Sequence, residues 1–180
     1  AQALHAASDT GSGLSLEDSA NISIVNATTS SPVTSPVSLT GTSASGAGVS
    51  TSGDVTVHGI ILNGATSADN GTGVKLGGNL TIADNISGVK ASSSGNGTAI
   101  VLDNVTLNAS AHGDTALNIN ASASGDNGTA IKVTGNSTLS NTALNGQADT
   151  GAAVVIDGNL NTDQTVTGNT TDGQGVVITG

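Results

Sequence analysis

Carboxylates recur just ahead of tight turns in this chain, at Asp69, Asp126, Asp149 and Asp172, where a column of them would offer oxygens to a calcium ion. Calcium takes roughly six to eight oxygen ligands, and the calcium-binding pattern Gly-Gly-x-Gly-x-Asp does not occur. An aspartate beside a turn glycine is ordinary turn chemistry, because its side chain bonds nearby main-chain N–H groups. His5, His58 and His112 stand in unrelated contexts, with no second His and no Cys at ligand spacing, so each reads as a surface imidazole. Ser92-Ser93-Ser94 lacks the His and Asp pattern that would activate a nucleophile. The glycine-rich turns precede strands, which removes the helix N-terminus that a phosphate cradle requires. No catalytic residue, metal or cofactor is therefore expected, and the chain does not read as an enzyme.

A second chemistry lies in asparagine. Asn-x-Ser/Thr triplets begin at twelve positions, more than this composition gives by chance, and part of the excess follows from a repeated Asn-x-Thr strand. Such triplets accept glycans where they lie on a surface. The candidate acceptors are Asn70, Asn79, Asn96, Asn104, Asn127 and Asn136.

These residues are positioned by a repeat. A tight turn followed by an aliphatic residue recurs as Gly11-Ser12-Gly13-Leu14, Gly46-Ala47-Gly48-Val49, Gly71-Thr72-Gly73-Val74 and Gly97-Thr98-Ala99-Ile100. It returns as Gly128-Thr129-Ala130-Ile131, Gly151-Ala152-Ala153-Val154 and Gly173-Gln174-Gly175-Val176, with starts 35, 25, 26, 31, 23 and 22 residues apart. Units of this length cannot bury their own apolar face and must stack, which is the signature of a solenoid.

Residues 71 to 96 show one coil. Val74-Lys75-Leu76 alternates in-out-in, Gly77-Gly78-Asn79 turns, Leu80-Thr81-Ile82 alternates again, Ala83-Asp84-Asn85 turns, and Ile86-Ser87-Gly88-Val89 makes a third strand. The expectation is an all-β parallel solenoid, a β-helix of about six coils, each of roughly 22–26 residues with three short strands. Residues 1–180 form one solenoid segment. In the second strand Thr56, Thr81, Thr106 and Thr138 align as an outward threonine row, interrupted by Ser23 and Asn161. The third strand is aligned as Leu39, Leu62, Ile86, Leu117, Leu144 and Val166.

Composition fits a thin tube. There is no Phe, Tyr, Trp, Met or Cys, so the core must be built from Val, Ile, Leu and Ala. A net charge of −10 with only three basic residues excludes the basic stripe that nucleic acid demands. No run of 18 apolar residues occurs, so insertion of this segment into a membrane is not expected. The start without Met and the end inside a new repeat lead us to expect a fragment of a longer rod.

Two stretches abandon the period, near residues 26–38 and 109–116. The first carries Pro32 and Pro36, which cannot donate to a β-ladder and favour a looped-out segment. Insertions in solenoids collect on one face, often the binding face. The candidate binding residues are therefore Thr28, Thr29, Ser30, Ser31, Thr34, His112 and Asp114, together with the Thr56, Thr81, Thr106 and Thr138 row.

Gly78-Asn79-Leu80-Thr81-Ile82, Asn70-Gly71-Thr72-Gly73-Val74, Asn127-Gly128-Thr129-Ala130-Ile131 and Thr171-Asp172-Gly173-Gln174-Gly175-Val176 resemble the repeat stalks of large secreted bacterial exoproteins. These are the two-partner-secretion haemagglutinin-like adhesins, the contact-dependent growth-inhibition proteins and autotransporter passengers. The resemblance covers residues 11 to 180. It implies a right-handed parallel β-helix, export to the cell surface or medium, and binding of a cell-surface receptor or glycan. It also implies contacts with neighbouring β-helix segments of the same chain, and glycosylation on some of the triplets. The expected function is that of an adhesin segment, both stalk and recognition surface. The receptor-binding region of a growth-inhibition effector, an ice-binding solenoid and a polysaccharide-active enzyme are the alternatives.

Overall fold

In the computed structural model, which describes residues 3–179, alternation of aliphatic and polar residues is realised as parallel strands. The first seven in chain order are β1 (Leu4–Ser8), β2 (Leu14–Glu17), β3 (Ala20–Ser23), β4 (Val37–Ser43), β5 (Ala47–Ser52), β6 (Asp54–His58) and β7 (Ile60–Thr66). Then follow β8 (Thr72–Ile82), β9 (Gly88–Ser93), β10 (Thr98–Asn108), β11 (Leu117–Ala123) and β12 (Thr129–Ser140). The chain closes with β13 (Thr142–Ala148), β14 (Ala152–Thr162), β15 (Val166–Thr170) and β16 (Gln174–Ile178).

The strands sort into two parallel sheets. The first, in the order β1-β4-β7-β9-β11-β13-β15, has seven strands; the second, in the order β16-β14-β12-β10-β8-β5-β2, has nine, with β3 and β6 attached alongside. The chain alternates between them, and the buried aliphatics of both form one core. Seven rungs thus stack, against about six expected, because β1 adds a rung whose Leu4 pairs with Leu39.

The turn motif fixes one core column as expected. Leu14, Val49, Val74, Ile100, Ile131, Val154 and Val176 pair in register from rung to rung. Within β8 the burial alternates at Val74, Lys75 and Leu76, and again at Leu80, Thr81 and Ile82, with the aliphatics inward.

The count of three strands per coil is corrected. From the third rung on, the expected first and second strands run together as β8, β10, β12 and β14, and only β2/β3 and β5/β6 stay separate. The bend that was expected to divide them is a left-handed residue inside a continuous strand: Gly78 has φ 67°, Asn104 51° and Gly135 65°. Such backbone suits Gly, and Asn best among the others. The strand therefore runs through the corner, and from β12 to β14 the ladder is unbroken there, with Gly135 paired to Gly158.

The third-strand alignment is corrected at two rungs. Val89, not Ile86, pairs with Leu62, and Ile119, not Leu117, continues that column to Leu144. Ile86 belongs instead to a turn in which Asp84 Oδ1 accepts the N–H groups of Ile86 at 3.2 Å and Ser87 at 2.8 Å.

The interior narrows along the first sheet. Its inward column runs Gly41, Gly64, Ala91, Ala121, Gly146 and Gly168. Facing it on the second sheet are the small turn residues Gly48, Gly73, Ala99, Ala130, Ala153 and Gly175. A Cβ on Gly41 would overlap the carbonyl of Gly48, and one on Gly64 that of Gly73. In a chain without aromatic residues the two sheets pack at this seam by bringing backbones together.

Candidate functional site

Both insertions leave the stack at the same place, the link from the second sheet back to the first. Residues 24–36 join β3 to β4 and residues 109–116 join β10 to β11. They lie three rungs apart on one edge, about 14 Å at the usual strand spacing.

The first loop is ordered by its own polar groups. Asn26 Oδ1 accepts the N–H groups of Thr28 at 2.9 Å and Thr29 at 3.2 Å. Asn26 N–H donates to Ser31 O at 2.7 Å, Ser30 takes φ 57°, and Val25 bridges Pro32 antiparallel. Thr28, Thr29, Ser30, Ser31 and Thr34 are all exposed on this hairpin. Beneath it Ile24, Val25, Pro32, Val33 and Val37 line a hollow of about 500 Å³.

The second loop contains a short 3-10 turn, Ser110–His112. His112 Nδ1 bonds Thr115 O at 2.7 Å. The ion pair among the described residues is Lys75 with Asp103, at 3.9 Å on the second sheet, away from this loop. Asn141 Nδ2 fastens the loop to the next rung, donating to Ala109 O at 3.0 Å and Gly113 O at 2.9 Å. Ala109 itself is fully buried, so the inserted stretch proper begins after it.

The four threonines do not form one row. Thr56 pairs with Thr81, but Thr81 pairs with Asn108, while Thr106 pairs with Asn79 and Thr138. The rows are therefore Asn21, Thr56, Thr81, Asn108 and Ser140, and beside it Asp54, Asn79, Thr106, Thr138 and Asn161. The cause is a bulge: β10 has one residue more than β8 between Leu102 and Val105, and β12 one more than β10. All four threonines still point outward.

The outer face of the first sheet carries a polar surface outside the expected binding set. Asn63, Lys90, Asn120 and Asn145 stack in one row, and Ala65, Ser92, Ser122 and Gln147 in the next. A shallow groove of about 500 Å³ follows them. Strict period-2 alternation from Val89 through Ser93 is the signal that reveals it, and the Ile86 alignment hides it.

The six candidate glycan acceptors are all exposed. Asn79 Nδ2 donates to Asp54 Oδ1 at 2.7 Å, and Asn136 Oδ1 accepts from Asn159 Nδ2 at 2.7 Å. Asn104 Oδ1 accepts the N–H of Asn136 at 2.9 Å. Asn70, Asn96 and Asn127 precede Thr72, Thr98 and Thr129, which pair in register, so the three lie on consecutive rungs of one turn edge.

Of the turn aspartates, Asp69 Oδ1 accepts the N–H of Asn96 at 3.2 Å, a bond to the turn of the next rung and not to its own. Among the described residues no three His, Cys, Asp or Glu side chains converge. No helix among the described residues is long and apolar enough to cross a membrane. One carboxyl is tuned. Burial pushes Asp84 up, but the Ser87 hydroxyl and the N–H groups of Ser87, Gly59 and Ile86 outweigh it and hold the group below its ordinary value. Ser87 Oγ in turn accepts Ile60 N–H at 3.0 Å, so this corner ties one rung to the next.

No known protein family, curated protein or solved structure matches this chain.

Proposed function

We propose that the chain is a stalk and recognition segment of a secreted or bacterial cell-surface filament, built as a right-handed parallel β-helix. Its partner is a cell-surface receptor or glycan. The observation that carries this reading is the shared edge: the two departures from the repeat emerge at one corner, and the polar outer face of the first sheet begins where both loops end. Stacking alone demands neither loop, and two loops on one edge make a common contact surface.

Binding through this surface is shallow and spread over several rungs. Without aromatic rings to stack on sugars, each contact is a hydrogen bond from Thr, Ser or Asn, and strength comes from several acting at once. The stacked repeats support a further role as a spacer that holds neighbouring β-helix segments in line.

The test is attachment of the purified chain to bacterial and host cells and to a glycan array, with the loops Ala27–Ser31 and Ser110–Asp114 each replaced by a short turn. Loss of attachment in either variant with unchanged β content supports the reading. Full attachment in both removes the loops from the site, and no attachment of the intact chain to any surface overturns the recognition role.

A further inference from the structure

Asn-Gly occurs five times, at Asn63-Gly64, Asn70-Gly71, Asn96-Gly97, Asn127-Gly128 and Asn145-Gly146. The pair is chemically special because glycine has no Cβ to shield its nitrogen from the preceding side chain. That nitrogen can attack Asn Cγ. A C–N bond forms, the Cγ–Nδ2 bond breaks and ammonia leaves, carrying a proton in place of the one lost from the glycine N–H. Water then opens the five-membered imide at either carbonyl, giving Asp or isoAsp without any oxidation or reduction.

The fold sorts the five pairs into two groups. Asn63-Gly64 lies inside β7, between β4 and β9, and Asn145-Gly146 lies inside β13, between β11 and β15. Gly64 and Gly146 are buried at the narrow seam against the carbonyls of Gly73 and Ala153. Ring closure there requires the extended backbone to rotate out of a ladder bonded on both sides, so it must wait for local opening.

The other three pairs lie in the turns ahead of β8, β10 and β12; their glycines are buried as well, but their asparagines are exposed. Gly71 N–H reaches only Ala68 O, at 3.4 Å, and Gly128 N–H bonds Gly125 O within its own turn at 3.1 Å. Gly97 N–H has no protein acceptor among the described residues. None of these glycine nitrogens is committed to a ladder.

We propose that Asn70, Asn96 and Asn127 are sites of spontaneous imide-mediated deamidation, and that the sheet protects the chemically identical pairs at Asn63 and Asn145. Because the three turn sites stack on consecutive rungs, their conversion adds a line of carboxylates to one edge, where Asp69 and Asp126 already lie. Each conversion also abolishes an Asn-Gly-Thr triplet. At Asn96 the product Asp keeps an oxygen for the Asn127 N–H, held at 2.9 Å, whereas isoAsp lengthens the main chain and breaks that contact.

The experiment incubates the intact folded chain in mildly alkaline buffer made with oxygen-18 water, beside a sample in guanidinium chloride. Asp and isoAsp are located by electron-transfer mass spectrometry. In denaturant all five pairs should convert at similar rates. In the folded chain the three turn sites should outpace the two strand sites by at least about tenfold, which is ~1.4 kcal/mol of protection. Equal rates at turn and strand sites in the folded chain would overturn the proposal. So would the same ratio in denaturant, which would assign the difference to local sequence, or protection of all five sites in the fold.

Discussion

Gly64 of β7 and Gly73 of β8 meet so closely that a Cβ on the first would occupy the space of the second's carbonyl oxygen and touch Val74 Cγ2 at 2.6 Å. The same relationship recurs between Gly41 and Gly48 and between Gly168 and Gly175, and Ala91 and Ala99 hold the equivalent places one rung on. At the seam the two sheets approach backbone to backbone beside a core of Val, Ile, Leu and Ala.

Gly64→Val should therefore destabilise the chain by about 1–3 kcal/mol or more, as overpacking of a filled core does. Ala65→Val, one residue away on the outer face, should change stability by less than about 0.5 kcal/mol. Denaturant unfolding followed by circular dichroism compares the two. Equal effects would mean that the seam is not packed as described.

Leu80 is buried between Val55 and Leu107 in register, so Leu80→Asp should place an unpaired charge in the core and unfold the surrounding rungs. Leu80→Ala should cost about 2–5 kcal/mol. Thr81→Lys, pointing outward, should be tolerated within about 0.5 kcal/mol. The midpoint of a thermal melt for each variant checks the in-out assignment.

Asp84 carries a pH signature. Its folded pKa is lowered, so its contribution to stability is fully present above the unfolded value, about 3.9, and is lost as pH falls through the folded value. Asp84→Ala should lower the melting temperature at neutral pH, and the gap to the parent chain should shrink on acidification through that window. A gap that stays constant into strong acid would show that Asp84 stabilises the corner by shape alone.

No thermal hysteresis is expected, because an ice-binding face needs one flat, unbroken threonine row and here Thr56 and Thr81 lie in one row while Thr106 and Thr138 lie in another. Nanolitre osmometry of the purified chain measures it directly. Appreciable hysteresis would reinstate the threonines as a functional array.

Sequence alone determined the stack. The Gly-x-Gly/Ala turn sets the phase of each rung, so the column from Leu14 to Val176 follows from spacing: each turn motif and its following aliphatic are separated by a fixed number of residues. It also placed Leu80 inward and Thr81 outward, since a period of two needs no long-range information. What it did not contain was register beyond the corner. There Gly78, Asn104 and Gly135 turn the chain without ending the strand, and β10 and β12 each absorb an extra residue. A bulge costs little and leaves no mark in the local pattern, so aligning Asn79-Leu80-Thr81 with Asn104-Val105-Thr106 looks correct while the packed structure matches Leu80 to Leu107. Both registers set buried aliphatics inward, so the choice lay with the extra residue at the corner, and the outward threonines moved with it. The polar row of Asn63, Lys90, Asn120 and Asn145, and the protection of Asn63 beside the exposure of Asn70, are consequences of the same kind. Identical dipeptides acquire different environments only when the sheets close around one and not the other.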